Sequence, residues 1–496
     1  MTMKYGRNPG KTGVLTVSLG FPCYGGTLNM GCRCDTVCGL IVGSVVGALV
    51  AVFGAILMPV GDNIIASTVN KEAVLEPGTT AYENFVSAGN PIYRQFWLYD
   101  VLNAAGVVEL GEKPEVKERG PYTYRTRYLP KENITAHENH TVSFLLPAGA
   151  IFEPSMSVGP EEDEVTVLNL GVAGAYSSLD HGLLNFLMQS TNSSLFQRRS
   201  VKEVLWGYRD PLLLSSLVGV FYPYNGTFDG PYSIFTGKDD ISKVSLIDKW
   251  NDQSTLSFWD NPYCDMINGT DASSFPPFLD KKEPLFFFSS DICRSVSAVY
   301  SGSHDLMGID VYRYKLPPRT LASPVENPDN MCFCRDELVT RNCTLAGVLD
   351  VSSCRGFPVY ISLPHFLHGS AHLSQAVHGL SPSEEHHFTY LDVEPTTGFT
   401  LRFAKRLQVN MMYGPSTKIT ALQHVKDYTI FPVVWLNETA TVDEETADMF
   451  KKELVSRIDL LDNLQIGLMS VGSAMCVLCA VAACVVKRGR KRNIIA

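Results

Sequence analysis

The chain has 496 residues, of which 45% are hydrophobic and 19% charged, and this composition excludes an intrinsically disordered protein. Its 41 lysine and arginine residues and 51 aspartate and glutamate residues give a net charge of −10, so a globally basic nucleic-acid-binding protein is also excluded. The average composition remains compatible with long apolar segments that could span a membrane.

Two apolar segments near the chain ends predict transmembrane helices. Residues 37–60 carry no charged side chain, and residues 464–486 contain Gln465 as their only strongly polar side chain. Each is long enough to cross about 30 Å of hydrocarbon as a helix, and neither has the polar stripe expected of the alternative, a core helix. Basic residues flank both segments on their outer sides, so residues 1–36 and 487–496 are predicted to be cytosolic.

The intervening residues 61–463 are predicted to form an ectodomain made in the secretory pathway. All seven Asn-x-Ser/Thr glycosylation signals of the chain fall in this segment. They are at Asn133, Asn139, Asn192, Asn225, Asn268, Asn342 and Asn437. No repeat, low-complexity tract or flexible linker divides the segment, which favours a single large domain.

The cysteines support an oxidising compartment. Six of the 13 cysteines lie in the ectodomain, at Cys264, Cys293, Cys332, Cys334, Cys343 and Cys354. They predict three disulfides, for which spacing alone allows 15 connectivities. A zinc site is the alternative, but the C-x-C spacing is tighter than that of usual zinc ligands. Three cysteines at the membrane edges, Cys34, Cys38 and Cys484, are either S-acylated or free buried thiols.

Strands dominate the local patterns of the ectodomain, with some helices. Residues 122–129 and 309–316 are rich in aromatic and β-branched side chains, and residues 399–411 alternate between apolar and polar. A helix capped by Asp443 or Thr441 is predicted before the second span. Residues 179–196 form an apolar, helix-like segment, which is either a core helix or an exposed docking surface.

Catalytic motifs are absent from the sequence, since it contains no Walker loop, G-x-G-x-x-G, G-x-S-x-G or H-E-x-x-H. We therefore predict no enzymatic activity, cofactor or metal, although scattered residues could still meet in space. Six of the 11 histidines crowd one glycine- and proline-rich stretch, at His365, His368, His372, His378, His386 and His387. A solvated turn is the preferred interpretation of this stretch, and pH sensitivity or a metal site is the alternative.

Lys405 interrupts the apolar face of the strand predicted over residues 399–411. A cation on such a face could pair with a fatty-acid carboxylate inside a lipid-lined cavity. The preferred interpretation is a bulge or twist that turns Lys405 towards solvent.

Several longer motifs resemble the class B scavenger receptor family. They lie at residues 119–122, 205–211, 323–330, 363–366 and 404–410, between two terminal spans. The resemblance implies an α+β fold with an antiparallel β-barrel core, an internal hydrophobic tunnel and a helical apex. It also implies the disulfides Cys264–Cys332, Cys293–Cys354 and Cys334–Cys343. The family lacks residues 1–29, so these are interpreted as a leader that translation from Met30 would omit.

The resemblance further implies modification and ligand sites. Palmitoylated cysteines correspond to Cys34, Cys38 and Cys484, and a regulatory phosphothreonine corresponds to Thr141, which the Asn139 glycosylation signal overlaps. A thrombospondin-binding stretch corresponds to residues 142–169. Here it contains an acidic run that would suit a basic module, with a solvated loop as the alternative. The run consists of Glu161, Glu162, Asp163 and Glu164.

The implied ligands are long-chain fatty acids, oxidised or modified lipoproteins, thrombospondin-type modules, collagen and membrane lipids, with cytosolic kinases as signalling partners. The family's apical lysine pair is absent between Leu179 and Phe196, which leaves Phe186 as the apical candidate. We therefore predict that the nearest cations, Arg198, Arg199 and Lys202, bind anionic lipid in place of the lysine pair. A location in the plasma membrane and its rafts is implied, with transit through Golgi and endosomes.

Two alternatives remain open from the sequence. One is a lysosomal or high-density-lipoprotein receptor of the same family, although no acidic residue precedes the isoleucine pair of residues 493–496, as a lysosomal sorting signal would require. The other is a matrix-adhesion receptor that does not transport lipid.

Overall fold

The structure is a computed structural model that describes residues 36–87, 91–126, 130–335, 339, 341 and 343–495. For residues 493–495 it describes the backbone only. The predictions for Cys34, Asn342 and residues 1–29 lie outside these residues. The helices are α1 Thr36–Ala73, α2 Thr80–Val86, α3 Ala104–Leu110, α4 Leu170–Tyr176, α5 His181–Ser190, α6 Val201–Trp206, α7 Ser352–Arg355, α8 Ala371–Gln375, α9 Glu384–His387, α10 Glu444–Phe450 and α11 Ser456–Ile495.

The strands follow in chain order. They are β1 Ile92–Val101, β2 Val116–Thr126, β3 Glu132–Ala136, β4 Thr141–Pro147, β5 Ile151–Phe152, β6 Glu164–Leu168, β7 Phe196–Ser200, β8 Tyr208–Asp210, β9 Ser216–Val218, β10 Phe228–Phe235, β11 Ile247–Trp250, β12 Leu285–Ser289, β13 Arg294–Leu306, β14 Ile309–Lys315, β15 Leu349–Asp350, β16 Tyr360–Ser362, β17 Tyr390–Val393, β18 Thr400–Tyr413 and β19 Thr429–Thr441.

Two helices are long and apolar enough to cross a membrane, Thr36–Ala73 and Glu444–Arg492, and they fit a two-pass membrane protein. The second includes α10, a π-helical turn and most of α11. Residues 36–58 and 463–495 belong to one compact unit. Within it, the Gln465 side chain is buried and donates a hydrogen bond to the Leu57 carbonyl at 3.2 Å. The strongly polar side chain of the second span is therefore satisfied inside the apolar unit.

The second compact unit, Pro59–Asp462, contains an 11-stranded antiparallel sheet. Its main path runs β12-β13-β14-β17-β18-β19-β1-β2-β5, and β16 joins β15 to β18. The predicted α+β class with a large antiparallel sheet is confirmed. Among the described residues no strand pair joins β12 to β5, so the path is open; the closed barrel and its tunnel stay predictions.

The strand predicted over residues 399–411 is β18, which pairs with β19 over most of its length. The pairing shifts register between Val409 and Asn410, whereas Lys405 lies regularly opposite Glu438. The bulge expected at Lys405 is therefore wrong, because the irregularity comes four residues later. Lys405 keeps its place on the face that the alternating pattern assigns to it.

Two helical predictions have different outcomes. Asp443 caps α10, and its side chain accepts a hydrogen bond from the Thr446 backbone N–H at 2.7 Å, as predicted. The apolar segment 179–196 is helical only over α5. Asn192, with a φ of 52°, follows the helix, and the chain then enters β7. The expectation of one longer helical segment is wrong.

Candidate functional site

At the α4–α5 corner, a helix presents two neighbouring apolar side chains to solvent. Asp180 caps α5 by accepting hydrogen bonds from the backbone N–H groups of residues 182 and 183, at 2.8 and 3.2 Å. Leu184 and Met188 face the core and are buried. On the outer face, Leu183 is 49% exposed and Phe186 is 64% exposed. The helix is thus both a core element and an apolar surface, because the two roles occupy different faces.

Two cavities adjoin this corner and share His181 in their walls. The larger has a volume of about 640 Å³, and its walls include Tyr176, Phe357, Tyr360, Met412 and Tyr428. The smaller has a volume of about 510 Å³ and lies between residues 179–181 and 415–418. The larger cavity, whose walls combine these aromatic and apolar residues with polar ones, has room for a small ligand or part of an acyl chain, whereas the smaller cavity is lined mainly by polar and charged residues.

Lys418 places a cation at the start of α5. Its Nζ lies 3.0 Å from Asp180 Oδ2, and its side chain is 61% exposed. The hydrogen bond from Lys418 is the main reason that the pKa of Asp180 is lowered. Sequence reasoning missed Lys418, because 238 positions separate it from Asp180 and no local pattern connects them.

The predicted thrombospondin-binding acids and lipid-binding cations form a single charged cluster, which we define as residues 161–164, 198, 199, 202 and 203. Pairing of β6 with β7 brings the two segments together. Arg198 lies 2.7 Å from Glu164, and Lys202 contacts Glu161. Arg199 lies 3.5 Å from Glu203. With five carboxylates and three cations, the charged cluster is acidic, and its cations already have partners.

Lys405 belongs to a second group of charges, inside the sheet. Arg94, Glu438 and Lys405 lie directly opposite one another on the neighbouring strands β1, β19 and β18. Arg94 contacts Glu438, Lys405 contacts Asp291, and Lys405 Nζ lies 3.6 Å from Glu438 Oε1. Burial by itself lowers the pKa of Arg94, but attraction to Glu438, Tyr224 and Asp291 raises that pKa above its ordinary value. Lys405 therefore has protein carboxylates as partners.

The histidine-rich stretch is only partly solvated. His365 and His387 are 4% and 6% exposed, and their rings stack with centroids 4.5 Å apart. His365 Nε2 lies 2.7 Å from Glu118 Oε2, which also accepts a 2.7 Å hydrogen bond from the Trp435 indole. The solvated-turn prediction is wrong for these two histidines, because the folded loop packs them against Trp435.

No group of three or more His, Cys, Asp or Glu side chains that could hold a metal occurs in the part of the chain that the structure describes. The structure contains the disulfides Cys264–Cys332, Cys293–Cys354 and Cys334–Cys343, the three pairs that the resemblance implies. Cys38 and Cys484 are exposed free thiols.

The glycosylation candidates differ in accessibility. Five side chains are exposed, those of Asn133, Asn139, Asn192, Asn225 and Asn268. Asn437 is half-buried in β19, where its amide donates to Gln95 at 3.1 Å and accepts from Arg406 at 3.2 Å. Thr141 is 2% exposed and donates a hydrogen bond to Asn139 at 2.8 Å, so a kinase would require β4 to open.

Comparisons with known proteins agree on one family. The model of the CD36 family matches residues 45–483. Lysosome membrane protein 2 of Homo sapiens is 35% identical over 424 residues, which cover 82% of this chain and 87% of that protein. Scavenger receptor class B member 1 of Sus scrofa is 32% identical over 449 residues, covering 87% and 86% of the two chains. The chain therefore belongs to the CD36 family, the class B scavenger receptors.

Proposed function

We propose that the protein is a cell-surface scavenger receptor that binds long-chain fatty acids and modified lipoproteins at α5 and passes lipid towards the bilayer. The observation that carries this proposal is the solvent-facing pair Leu183 and Phe186 beside two cavities. An exposed apolar pair on a helix is suited to acyl chains and lipoprotein surfaces, because burial of each large apolar side chain contributes about 1.5–3 kcal/mol.

The charges around the corner support Lys418 as the cation for an anionic headgroup. It is exposed and lies beside α5, and it forms an ion pair with the solvent-exposed Asp180. The three cations of the charged cluster are less suited to this role, because five carboxylates surround them and the net negative charge of the cluster repels an anionic headgroup. Surface ion pairs contribute little and can exchange partners, so a lipid carboxylate can compete for Lys418.

Lipid transfer through the interior of the ectodomain is the second part of the proposal. A conduit from apex to bilayer would spare a fatty acid the cost of about 0.8 kcal/mol per methylene of returning to water. Two membrane anchors, with both termini in the cytosol, would keep the ectodomain at the plasma membrane. S-acylation of the exposed thiols Cys38 and Cys484 would add to this anchoring.

The test measures uptake of labelled oleate and binding of oxidised lipoprotein by cells that express matched surface amounts of each variant. We expect the double variant Leu183→Ser, Phe186→Ser to lose lipoprotein binding at least about tenfold, since two apolar anchors are removed. Met307→Ser is the control, because Met307 is 41% exposed in the turn between β13 and β14, where the adjacent Gly308 lies beside Lys451 rather than beside α5. Equal binding by the double variant and the control would refute the docking site.

A second comparison tests whether Lys418 or the cations of the charged cluster bind the fatty-acid carboxylate. Lys418→Ala should reduce oleate uptake, whereas the triple variant Arg198→Ala, Arg199→Ala, Lys202→Ala should retain it. The opposite result would return lipid capture to the charged cluster.

A matrix-adhesion role for the charged cluster is the second candidate function, supported by its excess of carboxylates. Glu162 is exposed and has no hydrogen bond or ion pair among the described residues, so it is the carboxylate most available to a basic thrombospondin-type module or to collagen. Glu162→Lys should weaken solid-phase binding of such a module while oleate uptake is unchanged. Unchanged module binding would exclude this role.

The compartment is tested separately. Surface biotinylation should recover most of the protein at the plasma membrane. Recovery mainly in lysosomes would instead favour a role like that which the name of lysosome membrane protein 2 indicates for that relative.

A further inference from the structure

Arg294, the first residue of β13, is a buried cation outside every site described above. It is 7% exposed, and its guanidinium carbon lies 3.6 Å from the centroid of the Phe333 ring. A charged group this deeply buried normally has an opposite charge beside it, because removing an ion from water is costly. The surroundings of Arg294 therefore decide how its charge is balanced.

No carboxylate lies within ion-pair distance of Arg294 in the described part of the chain, and its hydrogen-bond acceptors are neutral. These acceptors are the Ser295 carbonyl at 3.4 Å, the Thr320 carbonyl at 3.2 Å and Asn330 Oδ1 at 3.5 Å. A guanidinium has five N–H donors, so two of them find no acceptor among the described residues. Burial lowers the pKa of Arg294 to about 10, as expected for a cation without a nearby counter-charge.

Arg294 also lines a small cavity. The cavity has a volume of about 30 Å³, which is enough for one species the size of a water molecule. Two other charged side chains lie on its walls and are engaged elsewhere: Arg335 pairs with Asp260 at 2.8 Å, and Asp350 accepts a 2.9 Å hydrogen bond from the Ser352 backbone N–H. Counting only residues that the structure describes, the wall thus carries two positive charges and one negative charge.

We propose that this cavity is a binding site for a monatomic anion, with chloride as its physiological occupant. The anion supplies the missing counter-charge and accepts the two remaining guanidinium N–H groups, while Phe333 covers the guanidinium. The volume of about 30 Å³ favours a monatomic anion over the larger carboxylate and phosphate groups. The site is independent of lipid binding at α5, and its expected effect is to stabilise the fold of the ectodomain.

The first experiment measures thermal unfolding of the full chain in detergent, in sodium chloride and in sodium gluconate at equal ionic strength. Gluconate is too large for the cavity. At a chloride concentration ten times the dissociation constant of the site, we expect the melting temperature to be about 2 °C higher in chloride than in gluconate. Arg294→Gln should abolish this difference. Arg209→Gln should retain it, because Arg209 is exposed and donates a hydrogen bond to the Ser215 carbonyl at 3.2 Å.

The second experiment uses the unmodified chain, so it does not depend on whether Arg294→Gln folds. Crystals grown in bromide should show an anomalous peak within hydrogen-bonding distance of the Arg294 guanidinium. Water at this position without an anomalous peak would overturn the proposal. So would a halide effect on unfolding that persists in Arg294→Gln.

Discussion

The ion pair between Arg94 and Glu438 provides a direct test of the charges inside the sheet. The two side chains are 5% and 3% exposed, and Glu438 also lies near Lys405. Glu438→Gln preserves the size of the side chain but removes its charge. Lys405 retains Asp291 as a partner, whereas buried Arg94 loses the one carboxylate that it contacts among the described residues and keeps only the longer-range attraction of Asp291. Breaking such a pair on one side destabilises a protein by about 3–5 kcal/mol.

The assay is thermal unfolding of the full chain, followed by intrinsic fluorescence. For a unit of roughly 400 residues with an unfolding entropy of about 2.1 cal/mol/K per residue, the expected loss corresponds to a decrease of about 4–6 °C. The matched control is Glu76→Gln. Glu76 forms a solvent-exposed ion pair with Lys238 at 2.5 Å, so its loss should lower the melting temperature by less than about 1–2 °C.

A compensating variant tests the physical reason. The double replacement Arg94→Met, Glu438→Leu removes both charges and should recover most of the stability that Glu438→Gln loses, because no uncompensated buried charge remains. If Glu438→Gln and Glu76→Gln lower the melting temperature equally, the desolvation argument is refuted.

Three further predictions concern stability. Burial, together with the nearby His365, lowers the pKa of His387 from 6.5 to about 4, so the unfolded chain binds the proton first as pH falls. Stability should therefore be constant above about pH 6.5 and fall by up to about 3 kcal/mol towards pH 4, and melting curves of His387→Gln should lack this slope. Ser200→Ala removes the capping box of α6 and should lower the urea unfolding free energy by about 1 kcal/mol, while Ser200→Asp should retain the cap. Replacing Cys293 and Cys354 by serine opens a loop with a sequence separation of 61 and should destabilise the fold by about 4 kcal/mol; a loss below 1 kcal/mol in urea would contradict loop closure as the cause.

Local patterns were sufficient wherever a segment determines its own structure. The α1 helix follows from an uncharged run, and the Asp443 cap follows from one side chain bonding the first turn of α10. The strand β18 follows from the alternation of apolar and polar side chains over residues 399–411, which Lys405 interrupts. These features depend on neighbours in sequence, so the absence of tertiary information did not affect them.

The candidate sites could be predicted only in part, because their partners come from distant segments. The segment around Phe186 was identified as apolar, but its shorter helix and its two faces emerged only with the folded corner. No sequence pattern around Lys418 predicts its position beside α5. Glu438 stands out in the sequence only as a charge at the end of the apolar run of β19, and its pairing with Arg94 depends on strand register.

The sequence alone was sufficient for the two candidate spans, the α+β class and the family, because apolar length, alternation and long motifs are properties of contiguous residues. Only the tertiary structure decided which charges meet. In the folded chain, Glu164 pairs with Arg198 and Glu161 pairs with Lys202. His365 is buried against His387, and Arg294 is buried without a carboxylate partner among the described residues. The physical reason is that ion pairing and burial depend on distance in space, which strand register and loop packing set and sequence separation does not.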